Sequence, residues 1–105
     1  MGHIIKEGIK LASIWVEFVG ILQNETGTTK LQINIDAPIT VSTMIKRLKT
    51  IFKLKGNFLL EHEPGRLRQN TLLLVNGKEI NVLEGLETNL EDDDVVTIIH
   101  ISHGG

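Results

Sequence analysis

The residues with the most chemistry in them stand at the end, Ser102-His103-Gly104-Gly105, directly after the apolar run Val95-Val96-Thr97-Ile98-Ile99-His100-Ile101. Glycine has no Cβ and reaches backbone angles closed to other residues, so a terminal pair forms a thin thread that a narrow channel can admit. What such a thread presents is the carboxylate of Gly105. A carboxylate is a poor electrophile at neutral pH, and acyl transfer from it requires conversion to an anhydride with a good leaving group. Terminal glycines are more often frayed ends. The rest of the sequence has to decide between the two.

The other reactive side chains make weaker cases. His100 and His103 are three apart, which on an extended strand points them to opposite faces. With only His3 and His62 besides and no cysteine in the chain, a zinc site is not expected. The run Glu91-Asp92-Asp93-Asp94 lacks the spaced ligands and the closing glutamate of a calcium loop. It reads as a solvated turn that a basic partner surface can meet. No Ser-His-Asp arrangement, phosphate loop or paired carboxylates can be picked out, so the chain is not expected to be an enzyme.

Composition bounds the partners. The 105 residues suit one domain with a single core, and 41% hydrophobic with 23% charged residues is ordinary for a soluble globule. No apolar run reaches membrane-spanning length, and the first residues lack the apolar segment of a secretory signal. A cytoplasmic protein is expected, in keeping with the missing cysteines. The formal charge of −2 predicts neither nucleic-acid nor membrane binding. Lys46, Arg47, Lys49, Lys53 and Lys55 cluster mid-chain and Glu79, Glu84, Glu87 and Glu91 to Asp94 crowd the last third, which reads as two solvated faces.

The elements that must carry the terminal thread follow from periodicity. Residues 9–22 alternate as a strand, with Ile14, Val16 and Phe18 on one face and Trp15, Glu17, Val19 and Ile21 on the other. After Glu25-Thr26-Gly27, Leu31, Ile33 and Ile35 alternate inward and complete an antiparallel hairpin. Pro38 ends that strand and Thr40 is placed to cap a helix over 41–53, whose stripe is Val41, Met44, Ile45, Leu48, Ile51 and Phe52. Residues 55–70 read as loop with a short edge element. Thr71 to Val75, Asn76-Gly77 and Lys78 to Val82 predict a hairpin through a type I′ turn. Leu83, Leu86 and Leu90 pin an irregular segment, and 95–101 is the last strand. Hairpins on either side of one helix predict an α+β domain over 1–101, a ubiquitin-like β-grasp with a mixed sheet of four to five strands wrapped on one main helix. Residues 102–105 then form a flexible tail. Outward Trp15, Val19 and Ile21, with Ile99, make an expected apolar partner face, unless 55–70 or a second copy covers it.

With these pieces in order, the chain resembles the ubiquitin-like sulfur carriers: the small subunit of molybdopterin synthase (MoaD), the thiamin sulfur carrier ThiS and the ubiquitin-related modifier. The matching residues are Leu72-Leu73-Leu74-Val75-Asn76-Gly77, Gly85-Leu86-Glu87-Thr88 with Leu90, Asp92-x-Asp94, and Gly104-Gly105. Phe18 to Leu22 leading to Thr26-Gly27 is similar to the first MoaD hairpin. The His103-Gly104-Gly105 end and the extra length are most similar to the ubiquitin-related modifier. Asp93 stands where MoaD-type chains commonly have glycine, and it can adopt a left-handed turn at some cost.

The resemblance implies a carrier with no cofactor of its own. A ubiquitin-activating-like adenylyltransferase would use ATP and magnesium to adenylate Gly105, and a sulfurtransferase would supply the sulfur of a thiocarboxylate. The acceptor would be a tRNA-thiolation enzyme or the large subunit of molybdopterin synthase, and a target lysine is the alternative nucleophile. Gly104 would thread the channel beside Gly105, with Ser102 and His103 touching its walls. A dedicated molybdopterin synthase subunit and a passive β-grasp binding module are the competing readings.

Overall fold

The structure, a computed structural model, describes residues 4–6, 9–53 and 67–101. Strand β1 (Ile4–Lys6) pairs antiparallel with the start of the long β2 (Ile9–Gly20). Alternation along β2 buries Ile14, Val16 and Phe18 as the sequence predicts. The strand stops at Gly20 rather than running to 22. Leu22 is drawn into the core at 2% exposure, and it opens a short helix, α1 (Leu22–Thr26), that the sequence reading lacked. The Thr26 hydroxyl donates to the Leu22 carbonyl (2.8 Å), and the N–H of left-handed Gly27 donates to that of Gln23 (2.9 Å), closing the turn.

Strand β3 (Lys30–Ala37) returns antiparallel along β2, with Ile33, Ile35 and Ala37 buried and Leu31 half-buried. The chain turns at Pro38 into the two-residue β4 (Ile39–Thr40) and the main helix α2 (Val41–Ile51). Thr40 caps it as expected, its hydroxyl accepting from the Thr43 N–H at 3.1 Å. Val41, Met44, Ile45 and Leu48 are buried against the sheet, each such side chain stabilising by about 1.5–3 kcal/mol. Ile51 departs from its expected place in the stripe and is 44% exposed. Phe52 fills the last layer instead, edge-on against Phe18 with ring centroids 5.7 Å apart.

Of the expected loop and edge element over 55–70, residues 55–66 lie outside the described residues. Leu67 packs half-buried against the core. Strand β5 (Thr71–Val75) then runs to Asn76 (φ 51) and Gly77 (φ 83), both with the positive φ of the predicted type I′ turn. The returning β6 (Lys78–Glu79) is shorter than the expected run to Val82. The Glu79 carboxylate accepts from the Asn81 N–H (2.7 Å) and starts a 3-10 turn, which plugs the core with Ile80 at 1% exposure. Leu86 and Leu90 pin the following segment, but Leu83 is 37% exposed and pins nothing. Strand β7 (Asn89–Leu90) pairs with β4, and β8 (Val95–His100) closes the fold.

Strand β8 lies between β2 and β5, parallel to the first and antiparallel to the second. Among the described residues the main sheet holds six strands, of which β2, β3, β5 and β8 are long and β1 and β6 short. This is a mixed sheet with α2 on one face, the expected ubiquitin-like β-grasp.

Candidate functional site: the sheet face beside the chain exit

The central position of β8 decides what surrounds the exit of the chain. From Val96 to His100 each residue of β8 has one register partner on β2 and one on β5, so its outward residues there form rows across three strands. The row nearest the end is Val19, Ile99 and Leu72. Val19 is 41% and Leu72 42% exposed, with Ile99 half-buried between them. The next row inward is Glu17, Thr97 and the half-buried Leu74, polar on its β2 side. Glu17 pairs with Thr97, whose hydroxyl donates to the Glu17 carboxylate at 3.4 Å. Beyond it stands Trp15, opposite Val95.

The expected partner face of Trp15, Val19, Ile21 and Ile99 is therefore brought together only in part. Val19 and Ile99 are direct neighbours. Trp15 is separated from them by Glu17 and Thr97, and its ring carries the Lys30 ammonium 4.6 Å from the centroid, a cation–π arrangement that covers the indole with charge. Ile21 is a correction. It stands at the N-cap of α1 with helical angles (φ −64, ψ −17), because β2 has already ended at Gly20. Leu72 was missed. The signal was in the alternation: if Leu73 and Val75 face inward, Leu72 faces outward, and pairing of 71–75 with 95–100 sets it beside Ile99.

Phe18, Ile98 and Leu73, the row on the opposite face, are almost fully buried. The row after them is Gly20, His100 and Thr71. Thr71 Oγ1 and His100 Nδ1 share a hydrogen bond of 2.8 Å, and the N–H of Ile101 donates to the carbonyl of Asn70 at 3.1 Å. Ile101 is 64% exposed and is the last described residue. Ser102, His103, Gly104 and Gly105, the expected tail, lie outside the described residues.

Among the described residues no group of three or more metal-ligating side chains comes together, and no helix is long and apolar enough to cross a membrane. The acidic run is only partly a solvated turn: Asp92 and Asp94 are half-buried and hydrogen-bonded to backbone N–H groups, at Ser13 (2.8 Å) and Glu91 (2.8 Å). Asp93 takes the left-handed conformation expected of it, at φ 68.

The model of the ThiS family matches residues 16–105. The chain belongs to the ThiS family. Its members are ubiquitin-like sulfur carriers and modifiers, small proteins that are not themselves enzymes. This ThiS-family chain is similar to Urm1 of Trypanosoma brucei at 30% identity, covering 90% of this chain and 97% of that one with a TM-score of 0.72. The small archaeal modifier protein 1 of Methanosarcina acetivorans is similar at 26% identity, with 90% and 98% covered and a TM-score of 0.72. A chain of the BexX/CysO complex of Amycolatopsis orientalis is similar at 25% identity, with 88% and 99% covered and a TM-score of 0.65. No curated protein sequence matches significantly.

Proposed function

We propose that this chain is a cytoplasmic sulfur carrier whose Gly105 carboxylate is activated by a ubiquitin-activating-like adenylyltransferase. The observation that carries the reading is the family match running through Gly104 to Gly105. The Gly105 carboxylate attacks the α-phosphate of magnesium-bound ATP, expelling pyrophosphate and forming an acyl-adenylate. The persulfide of a sulfurtransferase attacks the acyl carbon and expels AMP. A thiol then cleaves the resulting acyl disulfide, leaving the thiocarboxylate and a new disulfide. All catalytic groups, the ATP and the magnesium belong to the partners. An extended 102–105 reaches roughly 13 Å, enough to enter a channel the body cannot. Gly104 and Gly105 fill the narrowest part of that channel, and Ser102 and His103 touch its wider part.

The Val19, Ile99 and Leu72 row serves as the docking face for the body of the carrier. Exposed apolar rows beside an exit of this kind are where partners bind. The thiocarboxylate sulfur is then the nucleophile for tRNA thiolation or molybdopterin synthesis. One of the similar structures is named a modifier, which favours a second use of the acyl-adenylate, attack by a target lysine to form an isopeptide bond.

The test is the intact mass of protein taken from its native cells with Gly105 untagged, before and after a thiol alkylator. The sequence has no cysteine, so alkylation mapped to the C-terminal peptide identifies a thiocarboxylate. No adenylation by a cognate activating enzyme with ATP would leave the passive module as the better reading. A stable complex with a molybdopterin synthase large subunit would mark the dedicated subunit.

A further inference from the structure

The core ends one row before the sheet does. Phe18, Ile98 and Leu73 are almost fully buried, whereas Gly20 is exposed and His100 and Thr71 are half-buried in the row beyond. A strand end outside the core ordinarily frays. Here three contacts hold it, one from Gly20 on β2 and two from the adjacent residues Asn70 and Thr71 on the other side of β8.

Gly20 takes the first. With φ +83 it lies in the region that favours glycine, and a Cβ at this position would collide with the carbonyl oxygen of His100. The main chain of β8 therefore approaches β2 more closely here than any side chain permits. Thr71 takes the second, through the 2.8 Å hydrogen bond between its hydroxyl and His100 Nδ1 on the other side of β8. The Thr71 hydroxyl can donate to that nitrogen or accept from it, whichever tautomer the ring adopts. Asn70 takes the third, its carbonyl accepting from the Ile101 N–H at 3.1 Å. Asn70 is itself held in a left-handed turn (φ 68), closed by the Thr71 N–H donating to the Arg68 carbonyl at 3.1 Å.

We propose that Gly20, Thr71 and Asn70 form a clamp that fixes the direction in which the chain leaves the sheet, and that they are positioning residues for activation of Gly105. The inference rests on the carrier reading given above. Adenylation requires the carboxylate to meet a phosphorus in line, and a tail whose base is already fixed loses less freedom on reaching that geometry. Gly20, His100 and Thr71 lie on the opposite parity from Val19, Ile99 and Leu72 in the same three strands, and Asn70 stands just before β5 and acts through its main-chain carbonyl. Docking of the body and aiming of the tail are thereby assigned to different faces of one strand end.

Steady-state adenylation of the full chain by its activating enzyme, with amide hydrogen exchange at Ile101 followed by NMR, tests the clamp. Thr71→Val keeps the shape and removes the hydroxyl. It is expected to lower kcat about tenfold at unchanged KM, to speed exchange at Ile101, and to be rescued by Thr71→Ser. Gly20→Ala is expected to act in the same direction, and Thr71→Val decides the matter if that variant does not fold. Wild-type kcat and Ile101 exchange in Thr71→Val would overturn the clamp. So would a rise in KM alone, which would make Thr71 a docking residue, or failure of Thr71→Ser to rescue. If the wild-type chain is not adenylated at all, the carrier reading fails, and exchange at Ile101 still decides whether the clamp exists.

Discussion

The carboxylate of Asp92 accepts a hydrogen bond of 2.8 Å from the backbone N–H of Ser13, 79 positions earlier in the chain. The N–H of the adjacent Asp93 donates to the carbonyl of the same Ser13 at 2.8 Å. Both backbone groups of one β2 residue are thus taken by the acidic turn, just before Trp15 begins its pairing with Val95. The turn sets the register of the parallel pair. Asp92→Ala is expected to lower unfolding free energy by about 1.5 kcal/mol, the low end for a hydrogen bond to a charged group. Asp92→Asn, which keeps an acceptor, should recover most of it. Urea unfolding followed by Trp15 fluorescence measures both.

Asp93 carries the positive φ of that turn (68°) without being glycine. Asp93→Gly is expected to stabilise the fold by about 0.5 kcal/mol, relief of backbone strain outweighing the added freedom of the unfolded chain. Asp93→Val, with its branched Cβ, should destabilise it by about 1–2 kcal/mol. Opposite shifts in thermal midpoint are the signature; equal shifts would show that the side chain matters more than the backbone angle.

Leu72 and Leu73 are neighbours in sequence with opposite duties. Leu73 is fully buried beside Ile98, and Leu73→Ala should cost about 2–5 kcal/mol. Leu72→Ala is expected to change stability by no more than about 0.5 kcal/mol, and to raise KM for the activating enzyme with kcat preserved. Denaturant midpoints and adenylation kinetics on the same two proteins separate the effects. A Leu72→Ala protein with unaltered KM would remove the Val19, Ile99 and Leu72 row from the docking face.

Adding two residues after Gly105 is expected to abolish adenylation while the thermal midpoint stays that of the parent. Gly105→Ala should block the same step without unfolding the domain. The measurement is formation of the acyl-adenylate by mass, beside a melting curve. Full activity of the extended chain would mean that the two glycines are incidental.

Much of this molecule is local in origin and could be read along the chain. The alternation of Ile14, Val16 and Phe18, the helical recurrence of Val41, Met44, Ile45 and Leu48, the Thr40 cap and the Asn76-Gly77 turn are consequences of residue type and spacing within a few positions. They suffice for the order of elements from which the β-grasp is expected. Elements whose limits depend on distant partners end where periodicity along the chain does not place them. Periodicity carries β2 to residue 22, but burial of Leu22 and the approach of His100 to Gly20 stop it at 20 and remove Ile21 from the sheet. The second arm of the hairpin ends early because Ile80 is needed in the core.

The proposed site of activation rests on residue type in the same way, because a glycine pair is visible in the sequence itself. Its surroundings do not. Whether Leu72 lies beside Ile99, whether Trp15 joins them, and what holds His100 all depend on β8 entering between β2 and β5, parallel to one and antiparallel to the other. Pairing between strands is made by backbone groups that every residue carries. Side-chain pattern along one strand therefore tells which face is buried, and only the assembled sheet decides which neighbour it meets.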